Sequence, residues 1–284
     1  MTLTLGFSPC PNDTFIFDAL VHKRIDTEGL DFKVAMLDVS ALNDRAFRAE
    51  LDVTKLSYHA YGHLTEEYAL LRAGSALGRN CGPLLLAKKA LSAAEIIKGS
   101  VAIPGKYTTA NFLLSIAYPE LVNKQTMLFD EIESAIVNEE TRTGLVIHEN
   151  RFTYEDKGLV KLRDLGEFWE DTTGFPIPLG GIMINRKLPL SIQQKVARVI
   201  ARSVAYAFEH PTASDKYVRD HAQAMNPEVM QAHIKLYVNK FSQDLGNEGI
   251  AAIHHLFKRG MEIGSLPQID LAELLVKKEL TQSS

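Results

Sequence analysis

Short apolar runs and longer segments with three-to-four apolar spacing alternate along this 284-residue chain, with turn residues between them. Residues 3–7 read as a strand, followed by a turn at Ser8-Pro9-Cys10-Pro11-Asn12-Asp13, where two prolines oppose helix. Asn12 or Asp13 is the expected N-cap of an apolar helix over 14–21. Strands are predicted at 32–37 and 53–57, with a helix over 39–48 between them. A strand at 84–87 follows the turn 78–83. The opening pattern then recurs: strand 100–103, loop 104–107, and a helix over 110–117 capped by Thr108 and Thr109. A short apolar strand at 144–147 ends at His148. The segment 166–178 holds the only tryptophan, Trp169, and leads through Gly180-Gly181 to a strand at 182–185. Helical spacing dominates afterwards, over 192–209, 227–238 and 248–263.

Strands alternating with helices predict an α/β protein with mostly parallel sheets covered on both faces. The two similar strand–loop–helix starts suggest two lobes, with residues 1–88 and 187–284 in the larger and 89–186 in the smaller. In open α/β sheets ligands sit beyond the carboxyl ends of the strands. The segments ending there are 8–13, 57–59, 108–110 and 148–151, which two facing lobes would gather around one cleft.

Composition narrows the function classes. The 31 basic residues are fewer than the 35 acidic ones, giving a net charge of -4, and they are scattered, which argues against a nucleic-acid partner. No apolar run is long enough for a membrane span. The start carries no basic, apolar and small-residue series of an export signal, and two cysteines suit a reducing compartment, so a cytosolic location is expected. Phosphate-loop and dinucleotide fingerprints are absent.

The 108–110 corner suits an anion, because a helix N-terminus presents unpaired N–H groups and partial positive charge. Flanking threonine hydroxyls would add donors, although capping alone explains them equally well. His148 is the expected acid–base group, since imidazole titrates near neutrality and here ends a strand at the cleft mouth. Glu149 or Tyr154 would orient its ring. His254 and His255 are adjacent on a helix and share no face. His59 and His63 lack a recognisable third ligand, so no metal site is expected. Cys10 precedes a helix N-terminus but sits between prolines, which favours a structural or lining role over a nucleophile. Arg79 is either a partner for a substrate carboxylate or a solvated loop charge.

Four segments together carry a family resemblance: Phe7-Ser8-Pro9-Cys10-Pro11-Asn12-Asp13-Thr14-Phe15, Thr54-Lys55-Leu56-Ser57-Tyr58, Pro104-Gly105-Lys106-Tyr107-Thr108-Thr109-Ala110 and Ile147-His148-Glu149-Asn150-Arg151-Phe152-Thr153-Tyr154. The chain resembles the 1,4-dihydroxy-6-naphthoate synthase family of the futalosine route to menaquinone. The resemblance implies a two-lobed, type II periplasmic-binding-protein-like fold used for catalysis rather than transport. It implies a carbon–carbon lyase acting on a small anionic substrate, cyclic dehypoxanthine futalosine. His148 then becomes the proton acceptor, and Lys55, Leu56, Ser57, Thr109 and Ala110 the substrate-binding positions. Aromatisation drives such a reaction, so no metal or redox cofactor is expected. Three rival readings are a plain solute-binding protein, the chorismate-consuming dehydratase of the same pathway, and a hydrolase using Cys10.

Overall fold

The computed structural model describes residues 1–222 and 226–277, with the side chains of residues 149 and 150 outside the described set. The chain opens with β1 (Thr2–Phe7), α1 (Pro11–Val21), β2 (Asp31–Met36), α2 (Val39–Phe47), β3 (Val53–Ser57) and α3 (Tyr58–Gly62). Two short strands follow, β4 (Tyr68–Leu70) and β5 (Ala76–Gly78). The middle of the chain carries β6 (Leu84–Ala87), α4 (Ala93–Lys98), β7 (Val101–Ile103), α5 (Thr109–Ala117), β8 (Lys124–Thr126), α6 (Ile132–Val137) and β9 (Thr143–Val146). A one-turn 3-10 segment, His148–Phe152, then leads to β10 (Val160–Asp164) and α7 (Leu165–Thr173). Strand β11 (Ile177–Asn185) returns the chain to α8 (Leu190–Glu209), α9 (Asp215–His221), α10 (Pro227–Tyr237), α11 (Lys240–Gln243) and α12 (Gly246–Glu262).

The strands form two sheets. The first runs β2-β1-β3-β11-β4 with β5 also on β11, and the second runs β10-β6-β9-β7-β8. Each sheet is mixed. β1 pairs in parallel with β2 and β3, and β7 with β8 and β9. The strands that enter from the crossings, β11 and β6, run antiparallel to their neighbours.

Sheet membership departs from the boundaries expected at 88/89 and 186/187. Residues 84–87 belong to the second sheet and 177–185 to the first. Both strands read as continuations of the segment before them, and only pairing reveals which sheet each joins. The first crossing is tight, since a Cβ on Gly82 would stand 2.2 Å from the backbone nitrogen of Gly166. Here α7 begins, over residues for which only a link was expected. Asp164 caps it, accepting from Gly166 N at 2.8 Å and Glu167 N at 3.2 Å. Strand β11 starts at Ile177 rather than 182, and its Pro178 is tolerated beside a register shift.

Apolar side chains explain why these layers hold. Leu3, Leu5 and Phe7 of β1 pack with Phe17 of α1 and with Val199, Ile200 and Val204 of α8, all essentially buried. A second cluster joins Tyr58, Tyr61 and Phe257 to Leu85, Leu145 and Trp169 of the second unit. Burial of this kind contributes about 25 cal/mol per Å² of apolar surface, and it fixes the strand ends that carry the polar residues discussed next. No helix among the described residues is long and apolar enough to cross a membrane.

Candidate active site

The first corner of the cleft lies where β1 gives way to α1. The helix starts at Pro11, three residues earlier than expected, with Cys10 as N-cap. Proline suits the first helical position because its missing N–H has no intrahelical partner there anyway. Asn12 and Asp13 therefore lie inside the first turn and do not cap it. The Asp13 carboxylate turns back, accepting from Ser8 N at 3.1 Å, Ser8 Oγ at 2.7 Å and Asn12 Nδ2 at 2.9 Å. It also pairs with Lys55 Nζ at 3.0 Å, both side chains being buried. The same ammonium donates to Gly74 O at 3.0 Å. This corner supplies its own anion and its own counter-charge.

The second corner, at the start of α5, is built differently. Thr108 caps the helix, accepting from Asn111 N at 3.2 Å and donating to Gly105 O at 2.8 Å. Thr109 Oγ1 donates to Leu179 O at 2.8 Å and accepts from His59 N at 3.3 Å. Both hydroxyl protons are thus committed, and the expectation that they add donors for a ligand is corrected. What the corner offers is the first backbone amides of α5, at Thr109 and Ala110, with no acidic residue in that turn. Across the cleft, α2 presses close to this loop: Gly105 has φ +150°, and a Cβ there would stand 2.6 Å from Ser40 Oγ. Ser57, at the end of β3, accepts from Asn43 Nδ2 at 3.2 Å, which leaves its own hydroxyl proton to donate.

His148 follows β9 with φ +59°, a left-handed conformation uncommon outside glycine and frequent where function constrains the backbone. Packing and polar ties surround this turn. Phe129 meets the ring edge-on at a centroid distance of 4.9 Å, and His233 lies nearly parallel at 6.3 Å. Three residues on, Arg151 pairs with Asp164 at 3.2 Å and donates to Gly82 O. Cys10 Sγ also approaches the ring, 3.4 Å from Nδ1. Of the two expected orienters, Tyr154 donates to Glu155 Oε1 at 3.0 Å, and the Glu149 side chain lies outside the described residues.

These corners open on one cavity of about 710 Å³, counting its mouth. Lys55, Leu56, Ser57, Thr109, Ala110 and His148 all line it, so the structure brings these six sequence-predicted residues together. Sequence reasoning missed His233 and Tyr237, which line the cavity from α10. Four apart on an apolar-spaced helix, they read as core. Burial drives the His233 imidazole well below its ordinary pKa, helped by nearby His148, and holds the Tyr237 phenol well above the usual range. Cys81, also on the cavity, is pushed up to about 12 by burial and is no thiolate.

Other sequence candidates fall elsewhere. Arg79 is exposed and engages Glu170 at 3.4 Å and Gly174 O at 3.1 Å, away from the cavity. His59 stacks on Phe112 at 4.8 Å and bonds Ser265 Oγ at 2.8 Å, with burial lowering its pKa to about 4. His63 meets it edge-on at 5.4 Å within the same aromatic cluster. Cys10 is 3% exposed and stands behind His148, not on the cavity wall.

Known proteins resemble this chain closely. Residues 3–262 match a family described as menaquinone biosynthesis. A 1,4-dihydroxy-6-naphtoate synthase of Thermus thermophilus is 46% identical over 255 residues, covering 90% of this chain and 92% of that protein. Its counterpart from Streptomyces coelicolor is 44% identical over 274 residues, covering 94% and 96%. Among solved structures, a protein of Archaeoglobus fulgidus superposes with a TM-score of 0.88 at 33% identity, covering 93% of this chain and 98% of that one. The alkanesulfonate-binding protein SsuA from Xanthomonas axonopodis reaches 0.69 at 14% identity, covering 97% and 96%, which establishes the periplasmic-binding-protein-like fold alone.

Proposed function

This chain belongs to the menaquinone-biosynthesis family, and from that premise we propose that it is a 1,4-dihydroxy-6-naphthoate synthase. Its substrate is cyclic dehypoxanthine futalosine, cleaved with loss of the sugar-derived portion in the cytosol and without a cofactor. The observation that carries the site assignment is the sharing of one cavity by His148 and the acid-free N-terminus of α5. The substrate carboxylate binds at the amides of Thr109 and Ala110, where the helix dipole favours negative charge. Ser57 donates its spare hydroxyl proton to a substrate oxygen. Lys55, with one ammonium proton beyond those facing Asp13 and Gly74, donates alongside it, and Leu56 forms the wall between them.

Chemistry then needs only a proton acceptor and fixed donors. His148 removes a proton next to the bond that breaks, and the enolate-like charge is met by donors already in place. Aromatisation of the product ring supplies the driving force. The neutral His233 ring beside His148 adds no positive charge that would oppose protonation.

The test is direct. Purified protein incubated with cyclic dehypoxanthine futalosine should release 1,4-dihydroxy-6-naphthoate, followed by absorbance and mass spectrometry. His148→Asn should fold normally, bind substrate, and turn over ~100-fold more slowly or worse, as expected for a lost general base. Tight binding without turnover by the unmodified protein would leave a binding protein instead, and near-normal turnover by His148→Asn would remove the histidine from the chemistry.

A further inference from the structure

The geometry points to Cys10 as the positioning residue of His148: its sulfur accepts the Nδ1 proton from behind, leaving Nε2 as the bare nitrogen toward the cavity. This assignment rests on the reading of His148 as proton acceptor, and it goes beyond that reading by naming the nitrogen that acts and the group that selects it.

Four observations converge. Sγ and Nδ1 are 3.4 Å apart, within hydrogen-bond reach for sulfur. The histidine lines the cavity while Cys10 does not, so the sulfur approaches the ring from the side away from substrate. The mount of the sulfur is rigid. Pro9 and Pro11 flank it, and its carbonyl accepts from Asp13 N at 3.0 Å, Thr14 N at 3.1 Å and Thr14 Oγ1 at 3.1 Å. Through Asp13 the same loop is tied to Ser8 and Lys55. Lastly, Cys10 is the N-cap of an 11-residue helix, so the helix start fixes where the sulfur stands beside the ring.

The opposite polarity, S–H donating to Nδ1, would place the ring proton on Nε2 and leave no lone pair facing substrate. With Nδ1–H bonded to sulfur, the substrate proton moves to Nε2 and the Nδ1 proton stays where it is. The resulting imidazolium then faces an electron-rich sulfur. Cys10 plays the part of the orienting third group behind a base. The sulfur is 3% exposed and off the cavity wall, a placement that suits a partner of the ring better than a nucleophile.

The test reads the tautomer itself. In protein labelled with 15N-histidine, the His148 resonances, assigned by their loss in His148→Gln, should show a protonated Nδ1 and a bare Nε2. Cys10→Ala should yield a mixture of tautomers, and Cys10→Ser should restore the wild-type pattern. In turnover, Cys10→Ala should lower kcat ~10-fold with KM within about 2-fold, and Cys10→Ser should recover most of it. A wild-type spectrum with the proton on Nε2 overturns the proposal. So does a Cys10→Ala protein with unchanged tautomer and kcat. Should the alanine variant fail to fold, the wild-type and serine spectra still decide. The tautomer is measured without substrate, so inactivity of the wild-type protein toward cyclic dehypoxanthine futalosine would sink the functional reading alone.

Discussion

The two strand-to-helix corners of the cleft share a topology and differ in who supplies the anion. At the start of α1 the protein's own Asp13 occupies the helix N-terminus, and buried Lys55 balances it. At the start of α5 the first turn carries no acid, and its threonine hydroxyls face the protein. The same physics, a partial positive charge at a helix end, serves stability in one corner and, as we propose, recognition in the other. A helix N-terminus becomes a binding site only when the fold withholds its own carboxylate.

Asp13→Asn breaks the first corner and should have the largest effect. Lys55 would be left buried without its counter-ion, and losing one partner of a buried pair costs about 3–5 kcal/mol. Chemical denaturation should show that drop, and Asp13→Asn/Lys55→Met should recover most of it, since the unpaired charge is then gone. A loss below about 1 kcal/mol in the single variant would mean that Ser8, Asn12 and Gly74 hold this corner without the ion pair.

Ala110→Asp copies the first corner's acid into the second. A carboxylate in the first turn of α5 suits the helix dipole, which offsets part of the cost of a charge at this buried position, so the protein should still fold with a lowered melting point. A substrate carboxylate would meet it at close range, and two like charges about 4–5 Å apart repel by about 3–4 kcal/mol at an effective dielectric near 20, or ~100- to 1,000-fold in affinity. Titration calorimetry with a small aromatic carboxylate measures this. Unchanged affinity would place the substrate's negative group elsewhere.

Much of this contrast was legible in the chain. Residues 57–59 and 108–110 stood out because a short apolar run or a helix start meets polar side chains there, and His148 because it ends such a run, whereas Lys55 and Leu56 came from the family resemblance alone. What stayed hidden depends on pairing across long separations. Cys10 reaches His148 over 138 positions, and no local pattern encodes that. Strands β5 and β8 have three residues each, too few for a period to show. Strands β6 and β11 declare their sheet only through their neighbours. His233 and Tyr237 follow the apolar spacing of α10, so the helix beside His148 reads as ordinary core.

The smallest expected effect separates capping from recognition within the second corner. The Thr108 hydroxyl accepts from Asn111 N and donates to Gly105 O, and neither bond points at the cavity. Thr108→Ala should therefore cost about 1 kcal/mol of stability, as loss of an N-cap does, while KM changes little because the Thr109 and Ala110 amides remain. In a chain of this size that corresponds to a melting-point drop of about 2–4 °C, readable by scanning calorimetry. Thr108→Ser keeps the oxygen and should restore it. A large rise in KM with an unchanged melting point would reverse the assignment: the hydroxyl would then turn toward the ligand on binding, and the close approach of Ser40 to Gly105 would be what holds the loop.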